Sequence, residues 1–168
     1  MESTKDNFAC GSLPCTNACK MKTPDFFIEI FLQPGDFYWG DSDTRIRTLL
    51  GSCVSITMWH PSRREGGMCH FMLPSRRVRE SGEPLSGKYA DEVMELFLAE
   101  VGKTNTPLDE YQVKMFGGGN MFAEVVPRSR EQIIGERNIA AAHELLEKHG
   151  LKVMAEDTGG VRQRKLFF

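Results

Sequence analysis

The stretch Val54-Ser-Ile-Thr-Met-Trp59 places apolar side chains at every second position: Val54, Ile56 and Met58. That period matches a pleated strand, whose successive side chains point to opposite faces, and argues against a helix over the same residues. Gly51-Ser52 precedes the run and His60-Pro61 follows it, so turn residues bound it on both sides. After a loop that closes at Gly66-Gly67, Met68 to Leu73 reads as the returning strand of a hairpin-like pair. A chain built on such a pair needs a sheet and something to cover it.

The remaining segments supply both. Phe26 to Leu32 reads as a buried strand ended by Pro34-Gly35, and a short polar loop through Asp41, Ser42 and Asp43 follows. Residues 75–88 read as a loop. From Tyr89 the period turns helical, with Val93, Met94, Phe97 and Val101 on one face and Gly102 as the expected stop. Tyr111 to Phe116 reads as a strand running into Gly117-Gly118-Gly119. A second helix is expected from about Gly135 to Lys148, facing inward with Ile139, Ala142, Leu145 and Leu146 and stopping at Gly150. Leu151 to Ala155 reads as a strand, residues 157–160 as a turn, and Lys165 to Phe168 as a short last strand. This order predicts an α/β or α+β fold: a mixed β-sheet with helices packed on it, in a single domain over residues 25–168. Residues 1–24 read as a flexible N-terminal extension.

Composition narrows the function. A chain of 168 residues with 40% hydrophobic and 26% charged residues is long enough, and mixed enough, to bury a core. The net charge of −2 lacks the concentrated positive footprint of a nucleic-acid binder, so no nucleic-acid partner is expected. Arg63-Arg64 and Arg76-Arg77-Val78-Arg79 read as solvated loop charge, with a docking surface for an acidic partner as the alternative. No apolar run reaches the ~20 residues that cross a bilayer, and Glu2, Lys5 and Asp6 are unlike a signal peptide, so a cytoplasmic protein with no membrane insertion is expected.

The five cysteines are Cys10, Cys15, Cys19, Cys53 and Cys69, an odd set that argues against a disulfide framework. Cys10, Cys15 and Cys19 lack the spacing and the nearby His of a zinc site, and no metal is expected. Cys53 is different, because it opens a strand after a Gly-Ser turn. Such a turn exposes a sulfur and aims backbone N–H groups at one point, where they can hold an oxyanion. A free thiol ionises near pH ~8.5, so it needs a proton partner at neutral pH. His70, on the returning strand, is the best candidate: cross-strand neighbours have Cβ atoms about 4.5–5.5 Å apart, close enough to hold a thiolate–imidazolium pair. The plain alternative is an inert buried cysteine beside a structural histidine. Cys69 is a rival nucleophile, but it adjoins His70 and so faces the other way. His60 is a second candidate base at a loop mouth, and His143 and His149 read as surface residues. Gly117-Gly118-Gly119 reads as a turn where another segment packs closely, because the Lys-Ser/Thr of a phosphate loop is missing. Ser52, Asn120 and Thr158 are candidates for binding a substrate, with ordinary turn hydrogen bonding as the alternative for the last two.

Six blocks then occur in order: Leu50-Gly-Ser-Cys-Val54, Gly66-Gly-Met-Cys-His-Phe-Met-Leu-Pro74, Lys88-Tyr-Ala-Asp91, Phe116-Gly-Gly-Gly-Asn-Met-Phe122, Ile134-Gly-Glu-Arg-Asn138 and Glu156-Asp-Thr-Gly-Gly160. Together they resemble the chemoreceptor glutamine deamidase family, CheD, over roughly residues 26 to 168. The resemblance implies an enzyme, a protein-glutamine glutaminase of the cysteine-dependent amidohydrolase kind, that turns glutamines of methyl-accepting chemotaxis receptors into glutamates. It would release ammonia through a cysteine thioester, with methylesterase side activity and no cofactor. The family's nucleophile matches Cys53 and its histidine matches His70. Its third catalytic member is a threonine six residues before the cysteine, which falls on Arg47 (53 − 6 = 47), with Thr48 next to it. Either Thr48 serves after a small register shift, or another group orients His70. The implied partners are receptor cytoplasmic helices and a CheC-type phosphatase. The alternative function is a non-catalytic chemotaxis regulator that acts by binding receptors or that phosphatase.

Overall fold

The computed structural model describes residues 27–120 and 130–168. The expectations for residues 1–24, including Cys10, Cys15 and Cys19, lie outside the described residues.

The strands divide between two mixed sheets, and both helices lie on one side, so the fold is α+β. Strands β2 (Phe37–Asp41), β4 (Val54–His60), β5 (Glu65–Cys69), β6 (Gln112–Gly117) and β7 (Val153–Thr158) form a five-stranded sheet in the order β2-β5-β4-β6-β7. Its β6–β7 pair is parallel and the others are antiparallel. Strands β1 (Ile28–Phe31), β3 (Thr44–Leu50) and β8 (Arg164–Phe167) form a three-stranded sheet in the order β1-β3-β8.

The two faces of β4 explain the layering. Val54, Ile56 and Met58 are fully buried in one core, together with Val93, Met94 and Phe97 of helix α1 (Ala90–Thr104) and with Ala142 and Leu146 of helix α2 (Arg130–Lys148). Burying one such side chain is worth about 1.5–3 kcal/mol, so this face dominates the packing energy. The odd-numbered face of β4 meets the small sheet: Trp59 stacks edge-on against Phe168 at 5.9 Å. A second core of Leu32, Ile46 and Met68, flanked by Tyr38, Leu166 and Phe168, fills the gap between the sheets.

Several expected boundaries shift, each for a physical reason. Strands β2 and β3 flank the expected polar loop at Asp41, Ser42 and Asp43, and β3 is hard to read because it puts polar Thr48 inward and apolar Leu49 outward. Gly66 and Gly67 lie inside β5 rather than closing a loop. A Cβ on Gly66 would meet the Met58 carbonyl at 2.2 Å, and one on Gly67 would meet the Trp39 ring at 2.7 Å. Helix α1 runs past Gly102 and stops at Asn105, whose left-handed φ of 53° a short polar side chain tolerates. Helix α2 starts five residues before Gly135 (135 − 130 = 5), and its end at Gly150, with φ of 69°, is as expected. Arg76 is not solvated loop charge: its guanidinium lies 2.8 Å from the buried Glu92 carboxylate and also pairs with Glu83.

Candidate active site

The turn that carries Cys53 joins β3 of the small sheet to β4 of the large one. Each of its three carbonyls is held by a group from elsewhere in the chain. Gly119 N–H donates to the Gly51 carbonyl at 2.7 Å, and Gly118 N–H donates to the Cys53 carbonyl at 2.8 Å. Asn138 Nδ2, from α2, donates to the Ser52 carbonyl at 3.3 Å and to the Met72 carbonyl at 2.8 Å. The glycine block therefore serves close backbone approach: a Cβ on Gly117, where φ is 109°, would meet the Cys53 carbonyl at 2.2 Å. Helix α2 approaches just as tightly, since a Cβ on Gly135 would lie 2.6 Å from the Gly118 carbonyl.

In a trans peptide the C=O and N–H point in opposite directions. No peptide bond in the described chain is cis, so pinning the Ser52 carbonyl on α2 turns the Cys53 N–H away from the helix. Among the described residues, none accepts from the Cys53 N–H, which leaves it available as an oxyanion donor.

His70 stands on the same sheet face as Cys53. The pairs Val54↔Phe71 and Thr57↔Met68 set the register, which continues to Met72 opposite Cys53 and Ser55 opposite His70. Cys53 and His70 are thus diagonal cross-strand neighbours, about 7–8 Å apart at the backbone, farther than a directly opposed pair at about 4.5–5.5 Å. The Cys53 sulfur makes no hydrogen bond to His70 in this arrangement. Catalytic contacts of this kind commonly tighten only with substrate bound.

The His70 ring is fixed from its far side. Thr48 Oγ1 lies 2.7 Å from His70 Nδ1 and donates to the Leu32 carbonyl at 2.8 Å. A hydroxyl has one proton, and the carbonyl can only accept it. The Thr48 oxygen must therefore accept from His70 Nδ1–H, so Nε2 carries the free lone pair. Of the two alternatives open in the sequence, the geometry brings Thr48 to His70. Arg47 points out of the sheet and pairs with Glu29 at 2.9 Å.

Burial sets the charge state. It pushes the Cys53 thiol above its ordinary value and the His70 imidazole below its own. The Leu32 carbonyl and Asp36 oppose the shift at His70 without reversing it. Both directions favour the neutral thiol and the neutral imidazole over a thiolate–imidazolium pair.

The rival residues have other work. Cys69 is fully buried in the helix-side core, with its Sγ accepting the Ile56 N–H at 3.2 Å and its S–H directed at the Ile56 carbonyl 3.6 Å away. Burial raises its thiol to about 12, which keeps it unreactive. His60 stands at the mouth of the β4–β5 turn, where its carbonyl accepts from the Arg64 N–H at 2.8 Å and its ring Nδ1 accepts from the Arg63 N–H at 3.4 Å. It is buried at the end of β4, edge-on to Tyr111 with centroids 4.9 Å apart, and its Nε2 is 3.0 Å from a Glu110 carboxylate oxygen. His143 is exposed beside Glu156, and His149 is half-buried.

Ser52 belongs to the pinned turn. Asn120 is buried and follows Gly119, which bonds the same turn at Gly51, and its own N–H donates to the Gly160 carbonyl at 2.7 Å. Thr158 pairs with Gly117 in the sheet, but its hydroxyl is directed at the Glu156 carboxylate. Among the described residues no cluster of His, Cys, Asp and Glu is arranged to hold a metal. A cavity of about 540 Å³ opens between the sheets around Trp59, Lys114 and Phe168, and neither Cys53 nor His70 lines it.

Two residues with no role in the sequence reading adjoin the turn. Arg164 is buried, anchored on Asp157 at 2.8 Å, and pairs with Leu50 just before the turn. Asn138 is fully buried. Its place among the ordered blocks was the one signal that marked it.

Among the described residues, no helix is long and apolar enough to cross a membrane. Residues 72–168 match the family model described as CheD chemotactic sensory transduction. A protein of Dechloromonas aromatica named probable chemoreceptor glutamine deamidase CheD 3 is 48% identical over 145 residues, covering 86% of this chain and 84% of its own. The probable chemoreceptor glutamine deamidase CheD of Pseudomonas savastanoi pv. phaseolicola is 49% identical over 148 residues, 88% of this chain and 82% of its own. A relative of the same description from Leptospira interrogans is 44% identical over 150 residues, 86% of this chain and 89% of its own. The Bacillus licheniformis hypothetical protein YfiH superposes with a TM-score of 0.45 at 11% identity over 76% of this chain and 50% of that chain, a likeness too slight to bear on function. With the family model spanning more than half of the chain, and relatives close to half identical over most of their length, this chain belongs to the CheD family.

Proposed function

We propose that this chain is a cytoplasmic protein-glutamine glutaminase that deamidates glutamine side chains of chemotaxis receptors, with Cys53 as nucleophile and His70 as its base. The observation that carries the reading is the Thr48–His70 contact of 2.7 Å, in which Thr48 also donates to Leu32 and leaves His70 Nε2 as the basic nitrogen. The relatives' names supply the substrate class.

The chemistry runs from a neutral pair. His70 Nε2 takes the thiol proton as the sulfur bonds to the carboxamide carbon, so no free thiolate has to persist in a half-buried place. Negative charge moves onto the amide oxygen, where the Cys53 N–H stabilises it. The imidazolium then gives its proton to the departing nitrogen, the C–N bond breaks, and ammonia leaves. Neutral His70 next deprotonates a water that attacks the thioester. The C–S bond breaks, the sulfur recovers a proton, and the product is a glutamate side chain. Methyl esters of receptor glutamates present the same carbonyl, so the same turn serves a methylesterase side activity. Receptor cytoplasmic helices are the proposed substrate partner, and a CheC-type phosphatase is the second.

The test is direct. Purified chain is incubated with receptor cytoplasmic fragments, and peptide masses are read for amide-to-acid conversion. Conversion by the wild type and none by Cys53→Ala, at matched receptor binding, is the expected result. No conversion by a wild type that binds receptor leaves only the regulator reading.

A further inference from the structure

We infer that Asn138 is a positioning residue for the deamidation proposed above: it aims the oxyanion-binding N–H of Cys53 and holds the segment after His70 in step with it. The two carbonyls it grips flank the reacting residues, Ser52 immediately before Cys53 and Met72 two residues after His70. One side chain on α2 therefore ties together the two segments whose relative placement decides whether sulfur and imidazole can meet.

The hydrogen-bond pattern of this residue argues for more than packing. Asn138 is fully buried, and its Oδ1 finds no partner among the described residues. A buried polar oxygen without a donor is costly, and native cores keep few of them. An apolar residue at this place on α2 would avoid that cost. Among uncharged side chains, only an amide supplies two N–H groups on one nitrogen, and both are spent on this pair of carbonyls. Pinning the Ser52 carbonyl fixes the plane of the Ser52–Cys53 peptide, and hence the direction of the Cys53 N–H on its opposite edge.

The inference separates two reactions of the same sulfur. Alkylation by iodoacetamide needs the thiolate and access to it, with no oxyanion to stabilise. Deamidation needs the N–H in place as well. Asn138→Asp keeps the volume but sets carboxylate oxygens against two carbonyls, and Asn138→Ser removes the reach. Both variants are expected to keep the wild-type KM for a receptor fragment, and the uncharged Asn138→Ser to lose far less in its rate of alkylation at Cys53 than in kcat, whereas the added charge of Asn138→Asp also disfavours the thiolate. Their kcat is expected to fall roughly 10-fold or more, less than the loss of a whole oxyanion donor.

An unchanged kcat in both variants overturns the inference. So does a fall in alkylation of Asn138→Ser that keeps pace with its fall in kcat, because that describes a collapsed turn rather than a misaimed one. Should neither variant fold, exchange of the Asn138 side-chain amide protons in the wild type decides, by NMR. Slow exchange is expected of protons held by two carbonyls, and exchange at the rate of an exposed amide overturns the clamp. A wild type that converts no receptor glutamine removes the functional reading and this one with it. An active wild type with fully active variants removes this one alone.

Discussion

Thr48 Oγ1 and His70 Nδ1 lie 2.7 Å apart across the gap between the two sheets, and the hydroxyl proton is already committed to the Leu32 carbonyl. The contact joins β3 of the small sheet to the residue that follows β5 of the large one, so the tautomer of the base depends on how those sheets pack. A histidine held this way has one nitrogen for structure and one for chemistry.

Removing the hydroxyl without changing the shape isolates that arrangement. Thr48→Val leaves the His70 Nδ1–H and the Leu32 carbonyl without this partner, and Thr48 itself is almost fully buried. Stability is expected to fall by about 1–3 kcal/mol, the usual cost of an unpaired buried polar group. Turnover of a receptor fragment should fall by more than the loss of folded protein explains, while Thr48→Ser should restore it. Urea melts beside single-turnover rates separate the two effects, and a fully active Thr48→Val would remove Thr48 from the site.

The sequence showed some of this and hid the rest for identifiable reasons. Val54, Ile56 and Met58 are legible because one face of β4 is uniformly apolar. Strand β3 is not, because its inward positions include the polar Thr48 and its outward ones include Leu49. The split into two sheets cannot be read from local pattern, since β2 and β3 adjoin in sequence yet pair with different strands. Cys53 and His70 stand out by residue type. Of the groups that hold their turn, the glycine block shows in the sequence as a point of close packing, but Asn138 does not, because it acts on backbone carbonyls from a distant part of the chain.

Acid should inactivate the protein later than an ordinary histidine would allow. Burial holds His70 below its usual value of 6.5, so the neutral base survives at pH values where a free imidazole is largely protonated. The rate kcat/KM is expected to rise with pH through a midpoint below 6.5. The same depression means that stability is complete above pH 6.5 and declines as pH falls through the folded-state value. A pH–rate profile with its acid limb at or above 6.5 would contradict the neutral-imidazole state.

The second described cysteine predicts an alkaline effect of opposite sign. Cys69 ionises near 12 in the fold against 9.0 for an ordinary thiol. The unfolded chain therefore loses this proton first as pH rises. The stability that Cys69 contributes is fully present below about 9 and is lost progressively toward 12. Urea midpoints at several alkaline pH values should fall more steeply for the wild type than for Cys69→Ala. Iodoacetamide applied to the native protein should label Cys53 and spare Cys69 until the chain unfolds. Early labelling of Cys69 would show that the β4–β5 seam opens in the native state.

Two glycines with positive φ separate strain from placement. Gly150 has φ of 69° and open space where a Cβ would go, so Gly150→Ala pays only the left-handed conformation, about 1–2 kcal/mol. Gly117 has φ of 109°, and a Cβ there would also press on the Cys53 carbonyl from 2.2 Å. The carbonyl cannot yield without moving the turn, because Gly118 N–H holds the same oxygen. Displacements near 1 Å at a reacting group cost on the order of 100-fold in rate. Gly150→Ala is therefore expected to lower the unfolding midpoint and leave kcat unchanged. Gly117→Ala, measured on the folded fraction, should lose activity by roughly 10- to 100-fold beyond any loss of stability. Equal effects of the two substitutions on kcat would mean that the glycine block supports the fold alone and that the position of the Cys53 carbonyl does not govern the chemistry.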